Sequence, residues 1–255
     1  MKNRLKGKTV LITGATSGIG LSCAEQFAKA GCDLILTGRR EDRLSEISDL
    51  LSDKFEVLIG TAAFDIRDRN ACKQFVETLD DDIDILINNA GLARGTDPVF
   101  DADFDDWDAM IDTNVKGLLT ITRLISPKMK ARNSGHIINI GSTAGHEAYP
   151  GGVVYCATKH AVKAITESTK KDLHGTKVRV SMVSPGLVET EFSVIRFHGD
   201  KDKADSVYKG MDPLTADDIA EIVLFTANRP EHVNIMDTIV MPVNQSSAQM
   251  VHRDE

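Results

Sequence analysis

The 255-residue chain predicts an α/β fold with a parallel sheet covered on both faces, and three observations carry that prediction. Short aliphatic or β-branched runs alternate along the whole length with longer helical patterns. Most of those runs are rich in consecutive apolar residues, as in Thr9-Val10-Leu11-Ile12 and Leu34-Ile35-Leu36-Thr37, which suits strands buried on both faces. A glycine-rich stretch, Thr13-Gly14-Ala15-Thr16-Ser17-Gly18-Ile19-Gly20, follows the first run and opens the first helical pattern. That is where a doubly wound, Rossmann-like sheet receives a nucleotide.

Strands are predicted, in order, at 9–12, 34–37, 56–61, 83–88, 136–140, 178–183 and 238–241. Helices are predicted between and after them at 19–30, 42–51, 69–79, 104–129, 155–173 and 217–228. No repeat, low-complexity tract or Pro/Ser-rich linker divides the sequence, so 1–255 reads as one catalytic, nucleotide-binding domain. One interruption, 187–213, is long for a simple connection and follows a strand end. Open α/β sheets bind ligands at their strand C-termini, so this segment reads as a substrate lid; a solvated insertion is the alternative.

Hydrophobic residues make up 42% of the chain and charged residues 27%, enough for a substantial core beneath a polar surface. The formal charge of −8 argues against nucleic-acid or membrane-surface binding, which call for a basic face. No apolar stretch approaches the roughly 20 residues that span a bilayer. The first predicted strand leaves no room for a secretory or transit peptide, and the terminal His252-Arg253-Asp254-Glu255 matches no retention or lipidation signal. Cytoplasm is the expected location.

Cys23, Cys32, Cys72 and Cys156 are scattered and form no Cys-x-x-Cys pair, so buried free thiols are expected. The seven histidines show no ligand spacing. Acidic clusters at Asp80, Asp81 and Asp82 and at 101–108 read as a solvated loop and a negatively charged helix N-terminus. No catalytic metal is expected.

The glycine-rich stretch has the spacing Gly-x-x-x-Gly-x-Gly at Gly14, Gly18 and Gly20. Small residues there let the backbone approach a pyrophosphate, and the helix N-terminal amides favour its charge. Thr16, Ser17 and Ile19 belong to the same loop. The second strand ends at Thr37-Gly38-Arg39-Arg40. An acid there would hold the ribose hydroxyls of NAD; Arg39 and Arg40 instead suit a 2′-phosphate, which predicts NADP. Solvated helix-start arginines are the plainer reading. Asp65, after the third strand, could accept from the adenine amino group or cap the next helix. Asn88, Ala90 and Gly91 close the fourth strand, where small residues could admit the adenosine ribose.

Tyr155 and Lys159 are four apart on a predicted helix and share a face. A cation beside a phenol favours the phenolate, so the hydroxyl could exchange a proton near neutral pH. Ser142 follows the fifth strand, and Asn114 falls inside a helix, where asparagine is mildly unfavourable. An amphipathic core residue and a solvated charge would also produce the Tyr/Lys spacing. The joint order of all these parts points to an enzyme that moves a proton and a hydride.

Over nearly its whole length the chain resembles the short-chain dehydrogenase/reductase family. The matching pieces are Thr13 to Gly20, Asn88 to Gly91, Asn114, Ser142, Tyr155 with Lys159, and Pro185-Gly186-Leu187-Val188-x-Thr190. A narrower resemblance, to NADP-dependent 3-hydroxy acid dehydrogenases, rests on Asp106-Trp107, Met110 to Asn114, Gly135 to Gly145, Thr190-Glu191-Phe192-Ser193, Arg196-Phe197-x-Gly199-Asp200 and His232-Val233-Asn234-Ile235. The resemblance implies Tyr155 as acid/base and Ser142 as the group that orients the reacting oxygen. It implies that Lys159 lowers the Tyr155 pKa and holds the nicotinamide ribose, and that Asn114 supports a water leading from Lys159 to solvent. Pro185 and Gly186 belong to the cofactor site it implies, with Val188 and Thr190 holding the carboxamide.

Implied substrates are L-allo-threonine, serine, 3-hydroxypropionate with malonic semialdehyde, and related small acids; a homotetramer packed through the helices of Asn114 and Tyr155 is implied too. For the substrate carboxylate Arg196 is the leading candidate beside Ser142 and Tyr155, with His198 and Arg94 as competitors. Arg94 departs from the smaller or apolar residue that the resemblance implies. Another carbonyl, 3-oxoacyl or sugar-alcohol reductase is the alternative within the family. A nonenzymatic NADP sensor is the alternative outside it, disfavoured because Tyr155 and Lys159 are both present.

Overall fold

The structure, a computed structural model, describes residues 2–79 and 82–254. Asp80 and Asp81 of the acidic loop, and Glu255 of the terminal tetrapeptide, lie outside the described residues. Seven described strands form one parallel sheet in the order β3-β2-β1-β4-β5-β6-β7. They are β1 Thr9–Thr13, β2 Asp33–Gly38, β3 Ile59–Ala63, β4 Ile85–Asn88, β5 His136–Ile140, β6 Arg179–Pro185 and β7 Asp237–Val240. The order reverses between β1 and β4, the switch point where a doubly wound sheet opens a crevice. This is the single-domain Rossmann-like sheet that the alternating pattern predicts.

The uninterrupted apolar runs are explained by what covers each face. Val10 and Ile12 of β1 pack with Phe27, Leu34, Ile87 and Val223 on one side. Leu11, between them, packs with Leu86, Ile121, Ile125 and Ile137 on the other. Consecutive strand side chains leave on opposite faces, so a strand sandwiched between helical layers is apolar at every position. Helices α1 (Gly18–Lys29), α2 (Glu41–Lys54) and α9 (Ala216–Ala227) lie over the first face, and α3 (Arg69–Glu77) and α5 (Leu118–Ala131) over the second.

Three predicted elements differ from the structure. The third strand is shifted from 56–61 to Ile59–Ala63, because an edge strand has one neighbour and takes its register from it: Leu34 pairs with Ile59 and Gly38 with Ala63. The long helix predicted at 104–129 is broken into α4 (Phe104–Ile111), a π-helical turn at Asp112–Gly117, and α5. The segment predicted as an irregular lid holds two short helices, α7 (Glu191–Arg196) and α8 (Lys201–Ser206). All four cysteines are free and buried, and burial pushes the Cys23 and Cys32 thiols up to about 12.

Candidate active site

A cleft of about 440 Å³ opens above the C-terminal strand ends, within the usual range for small-molecule sites. Its floor is the glycine-rich loop. Gly14 has φ 68°, and a Cβ there would lie 2.9 Å from Ala90 Cα. Gly20 faces the Gly14 carbonyl so closely that no Cβ fits. The loop is pinned to the end of β4 by Thr13 and Asn89. Thr13 Oγ1 accepts from the Asn89 and Ala90 amides at 3.1 Å, and Asn89 Nδ2 donates to the Thr13 and Gly14 carbonyls at 3.0 Å. Ser17 precedes α1 without capping it through its side chain, so the helix's first amides are left for another acceptor.

At the end of β2, Arg40 donates through Nε and Nη2 to Thr16 Oγ1 (3.2 and 2.9 Å) and pairs with Glu191 at 3.1 Å. Arg39 lines the same corner. Asp65 receives the Arg67 guanidinium and backbone amide, which hold its carboxyl below the usual range, so it does not cap α3; Asp68 does. These groups fit a dinucleotide with an extra phosphate: a backbone cradle that admits no Cβ, an uncapped helix start and two guanidiniums at the ribose corner.

The opposite end carries the chemistry-bearing side chains. α6 (Val153–Asp172) presents Tyr155 and Lys159 on one face, both buried, with the Lys159 ammonium 5.9 Å from the Tyr155 ring centre. Lys159 donates to the Ile140 carbonyl at 3.0 Å, and burial lowers its pKa from 10.5 to about 8. Burial raises the Tyr155 phenol above its ordinary value, and the Tyr149 phenol pushes the same way. The Ser142 hydrogen bond and the Arg196 charge oppose that rise. The expectation from the spacing is therefore corrected in its balance. Desolvation outweighs the neighbouring charges, and the proton stays on Tyr155 unless a further positive charge or hydrogen bond reaches the phenol.

Asn114 occupies the π-helical turn. Its Oδ1 accepts from the Leu92 amide and its Nδ2 donates to the Leu92 carbonyl, each at 2.8 Å, with a further bond to Thr158. The asparagine thus bonds a neighbouring loop as a second strand would, and the turn widens around it. Such π turns recur at functional sites.

The cleft brings together most of the predicted residues: Gly14, Thr16, Ser17, Gly18, Ile19, Arg39, Arg40, Asp65, Ala90, Gly91, Ser142, Tyr155, Lys159, Pro185, Gly186, Val188, Thr190 and Arg196. Gly20 and Asn114 stand just behind its wall. Asn88 is a correction: its amide points into the core, donating to Asn139 and Thr122. Asn89, its neighbour, faces the cleft instead, because successive side chains at a strand end leave on opposite sides. Sequence reasoning also missed Phe192 and Tyr208, which line the cleft from 187–213; an aromatic in a charged loop gives no periodic signal.

Of the three candidate carboxylate partners, one reaches the site. Arg196 stands with its guanidinium 5.8 Å from the Tyr155 ring centre and 5.7 Å from that of Tyr149, and it donates weakly to the Tyr149 hydroxyl at 3.4 Å. Its buried Nε has no hydrogen-bond partner among the described residues. Arg94 and His198 turn to Asp106 instead.

Fold, cradle and Ser/Tyr/Lys arrangement together define a dinucleotide-dependent oxidoreductase. Residues 8–200 match the short chain dehydrogenase family profile, and the chain belongs to that family. It is 49% identical over 257 residues, 99% of each chain, to a protein of Schizosaccharomyces pombe named NADP-dependent 3-hydroxy acid dehydrogenase. It is 46% identical to sulfoacetaldehyde reductase 2 of Chromohalobacter salexigens, across 96% of this chain and 98% of that one. A serine dehydrogenase solved in closed form with NADP+ superposes with TM-score 0.91 at 47% identity, covering 96% of this chain and all of that one.

Proposed function

We propose that this chain transfers hydride between NADP and C3 of small 3-hydroxy acids of the L-allo-threonine, serine and 3-hydroxypropionate type. The observation that carries the proposal is Arg196: a half-buried guanidinium whose buried Nε has no partner among the described residues, beside the Tyr155 phenol and inside the cleft. A carboxylate separated from the reacting carbinol by one carbon would take that charge while the hydroxyl meets Ser142 and Tyr155. The relatives named for 3-hydroxy acids and serine support this reading.

NADP supplies the hydride chemistry, and the protein supplies orientation and proton transfer. Gly14, Ser17, Gly18, Ile19 and Gly20 cradle the pyrophosphate, Arg39 and Arg40 take the 2′-phosphate, and Asp65 faces the adenine. Asn89, Ala90 and Gly91 border the adenosine ribose, while Pro185, Gly186, Val188 and Thr190 hold the carboxamide end. Ser142 donates to the reacting oxygen; Tyr155 accepts its proton during oxidation and returns it during reduction; Lys159 and Arg196, together with the positive charge of the oxidised nicotinamide, would favour the phenolate. Asn114 holds the loop at Leu92 in place behind Lys159. The segment 187–213 covers the substrate, and the working protein is a cytoplasmic homotetramer; among the described residues no helix is long and apolar enough to cross a membrane.

A guanidinium also accepts a sulfonate. The relative named sulfoacetaldehyde reductase therefore makes a two-carbon sulfonate aldehyde the second substrate to try.

The test is NADP reduction with L-allo-threonine, L-serine and 3-hydroxyisobutyrate, beside NAD controls and the variants Tyr155→Phe and Arg196→Ala. Turnover should fall by at least roughly a hundredfold in Tyr155→Phe, as loss of a general acid/base does. Arg196→Ala should raise KM for the acids far more than for 2-methyl-1,3-propanediol, the neutral counterpart of 3-hydroxyisobutyrate. NADPH binding without oxidation of any of these acids would remove the substrate assignment.

A further inference from the structure

Asp106 stands apart from the rest of the acidic run. Asp101, Asp103, Asp105 and Asp108 are exposed around the start of α4, whereas Asp106 is buried. Its Oδ2 lies 3.0 Å from His198 Nε2 and its Oδ1 3.6 Å from Arg94 Nη1. A buried carboxylate needs polar or charged partners of this kind. His198 meets it from a left-handed backbone, φ 52°, which is unfavourable for a non-glycine residue and must be held by its surroundings. Two residues earlier the Arg196 carbonyl accepts the Gly95 amide at 2.9 Å.

α7 is six residues long, too short to hold itself together or in place. Its position is therefore set by what it is tied to; at its middle Phe192 packs on the Tyr155 ring and Ser193 bonds the Tyr208 hydroxyl at 2.6 Å. At the N-terminal end Thr190 abuts Gly18 and Glu191 pairs with Arg40. At the C-terminal end, where Arg196 sits, the ties are the Gly95 amide on the Arg196 carbonyl, the Tyr149 hydroxyl on its guanidinium, and Asp106 on His198.

We infer that Asp106 is a positioning residue for the substrate anion. By clasping His198, with Arg94 as its charged partner, it fixes the end of α7 and so the place of the Arg196 guanidinium over Tyr155. This inference rests on the proposed role of Arg196. It also accounts for Arg94, the departure noted in the sequence: that side chain serves the clasp, not the substrate.

The experiment compares His198→Asn, Asp106→Asn and Arg196→Ala with the unaltered protein. Asparagine tolerates the left-handed backbone and breaks the contact with Asp106, and the His198 side chain is more than half exposed, so that variant keeps its fold. In both clasp variants KM for 3-hydroxyisobutyrate should rise about tenfold, as misplacing a substrate-holding group does. KM for 2-methyl-1,3-propanediol, kcat and NADPH affinity should stay put, and amide hydrogen exchange across 191–198 should quicken. Equal effects on acid and diol, or unchanged exchange in His198→Asn, overturn the clasp. An Arg196→Ala that discriminates while both clasp variants behave normally overturns the clasp alone. An Arg196→Ala that does not discriminate removes the substrate reading itself, and the clasp's role with it.

Discussion

The two walls of the cleft keep their shape by opposite means. On the side of β1 and α1, backbone meets backbone: Gly14 lies against Ala90 and Gly20 against Gly14, with Asn89 bonded to main-chain carbonyls. On the side of 187–213, side chains make many of the ties, beside a few main-chain bonds such as Gly95 to Arg196: Arg40 to Glu191, His198 to Asp106, and Tyr208 to the Val188 carbonyl at 2.8 Å and to Ser193. Backbone contacts cannot yield without moving a strand or a helix. Exposed ion pairs are worth about 1 kcal/mol or less and re-form readily. A wall built the first way suits a cofactor that is the same at every turnover, and a wall built the second way suits a cover that admits substrate.

The largest effect expected from this contrast is that of Gly14→Ala. The methyl would meet Ala90 Cα at 2.9 Å on a backbone with φ 68°. Overpacking of about 1–3 kcal/mol then adds to about 1–2 kcal/mol for the left-handed conformation. Stability should fall by roughly that sum and NADPH affinity by more than tenfold, readable by thermal melting and by quenching or enhancement of cofactor fluorescence. A variant with unaltered affinity and melting temperature would show that the rigid wall is not rigid.

The same contrast decides what the sequence made legible. The sheet and the glycine cradle could be read because both are repetitive or extreme demands: apolar at every strand position, and no Cβ where backbones touch. Spacing and order point to Tyr155, Lys159 and Ser142, and a place in the lid points to Arg196; all four line the cleft. Asn88 was chosen over Asn89 because two adjacent asparagines look alike until the strand's faces are known. The partners of the ion pairs were not legible, since a charge can reach any opposite charge the fold brings near. Asp106 looked like one more solvated acid, and His198 like a rival for the substrate. The π-helical turn was hidden because its cause, the Leu92 loop on Asn114, lies 22 residues away in the chain.

Arg40 joins the two walls, bonded to Thr16 on one and Glu191 on the other, so its removal sharpens the comparison. Arg40→Ala should weaken NADPH binding roughly 10- to 100-fold, the loss of charge-assisted hydrogen bonds to a phosphate. NADH binding should change little, because it brings no 2′-phosphate. Titration of both cofactors against the variant checks this. Parallel losses for the two would mean that Arg40 serves the fold and not cofactor choice.

The smallest effect on stability lies at Lys159 of α6, where the chemistry opposes stability. Burial lowers the Lys159 pKa from 10.5 to about 8, so keeping its charge at neutral pH costs about 3 kcal/mol. Lys159→Met relieves that cost and gives up the bond to the Ile140 carbonyl, which offsets about 1–2 kcal/mol. The variant should be inactive and yet about 1–2 kcal/mol more stable at pH 7. The sign of the pH dependence follows from the two values. Below pH 8 the folded and unfolded chains both carry the proton and the full penalty stands. Between 8 and 10.5 only the unfolded chain keeps it, so the unaltered protein gains stability as pH rises, and the variant's advantage disappears by about 10.5. The buried Cys23 and Cys32 thiols act oppositely above their ordinary value of 9.0. They do so in both proteins and cancel from the difference. Denaturant titrations of the two at pH 7 and pH 10 measure it, and a variant less stable than the parent at pH 7 would show that Lys159 supports the fold it is predicted to strain.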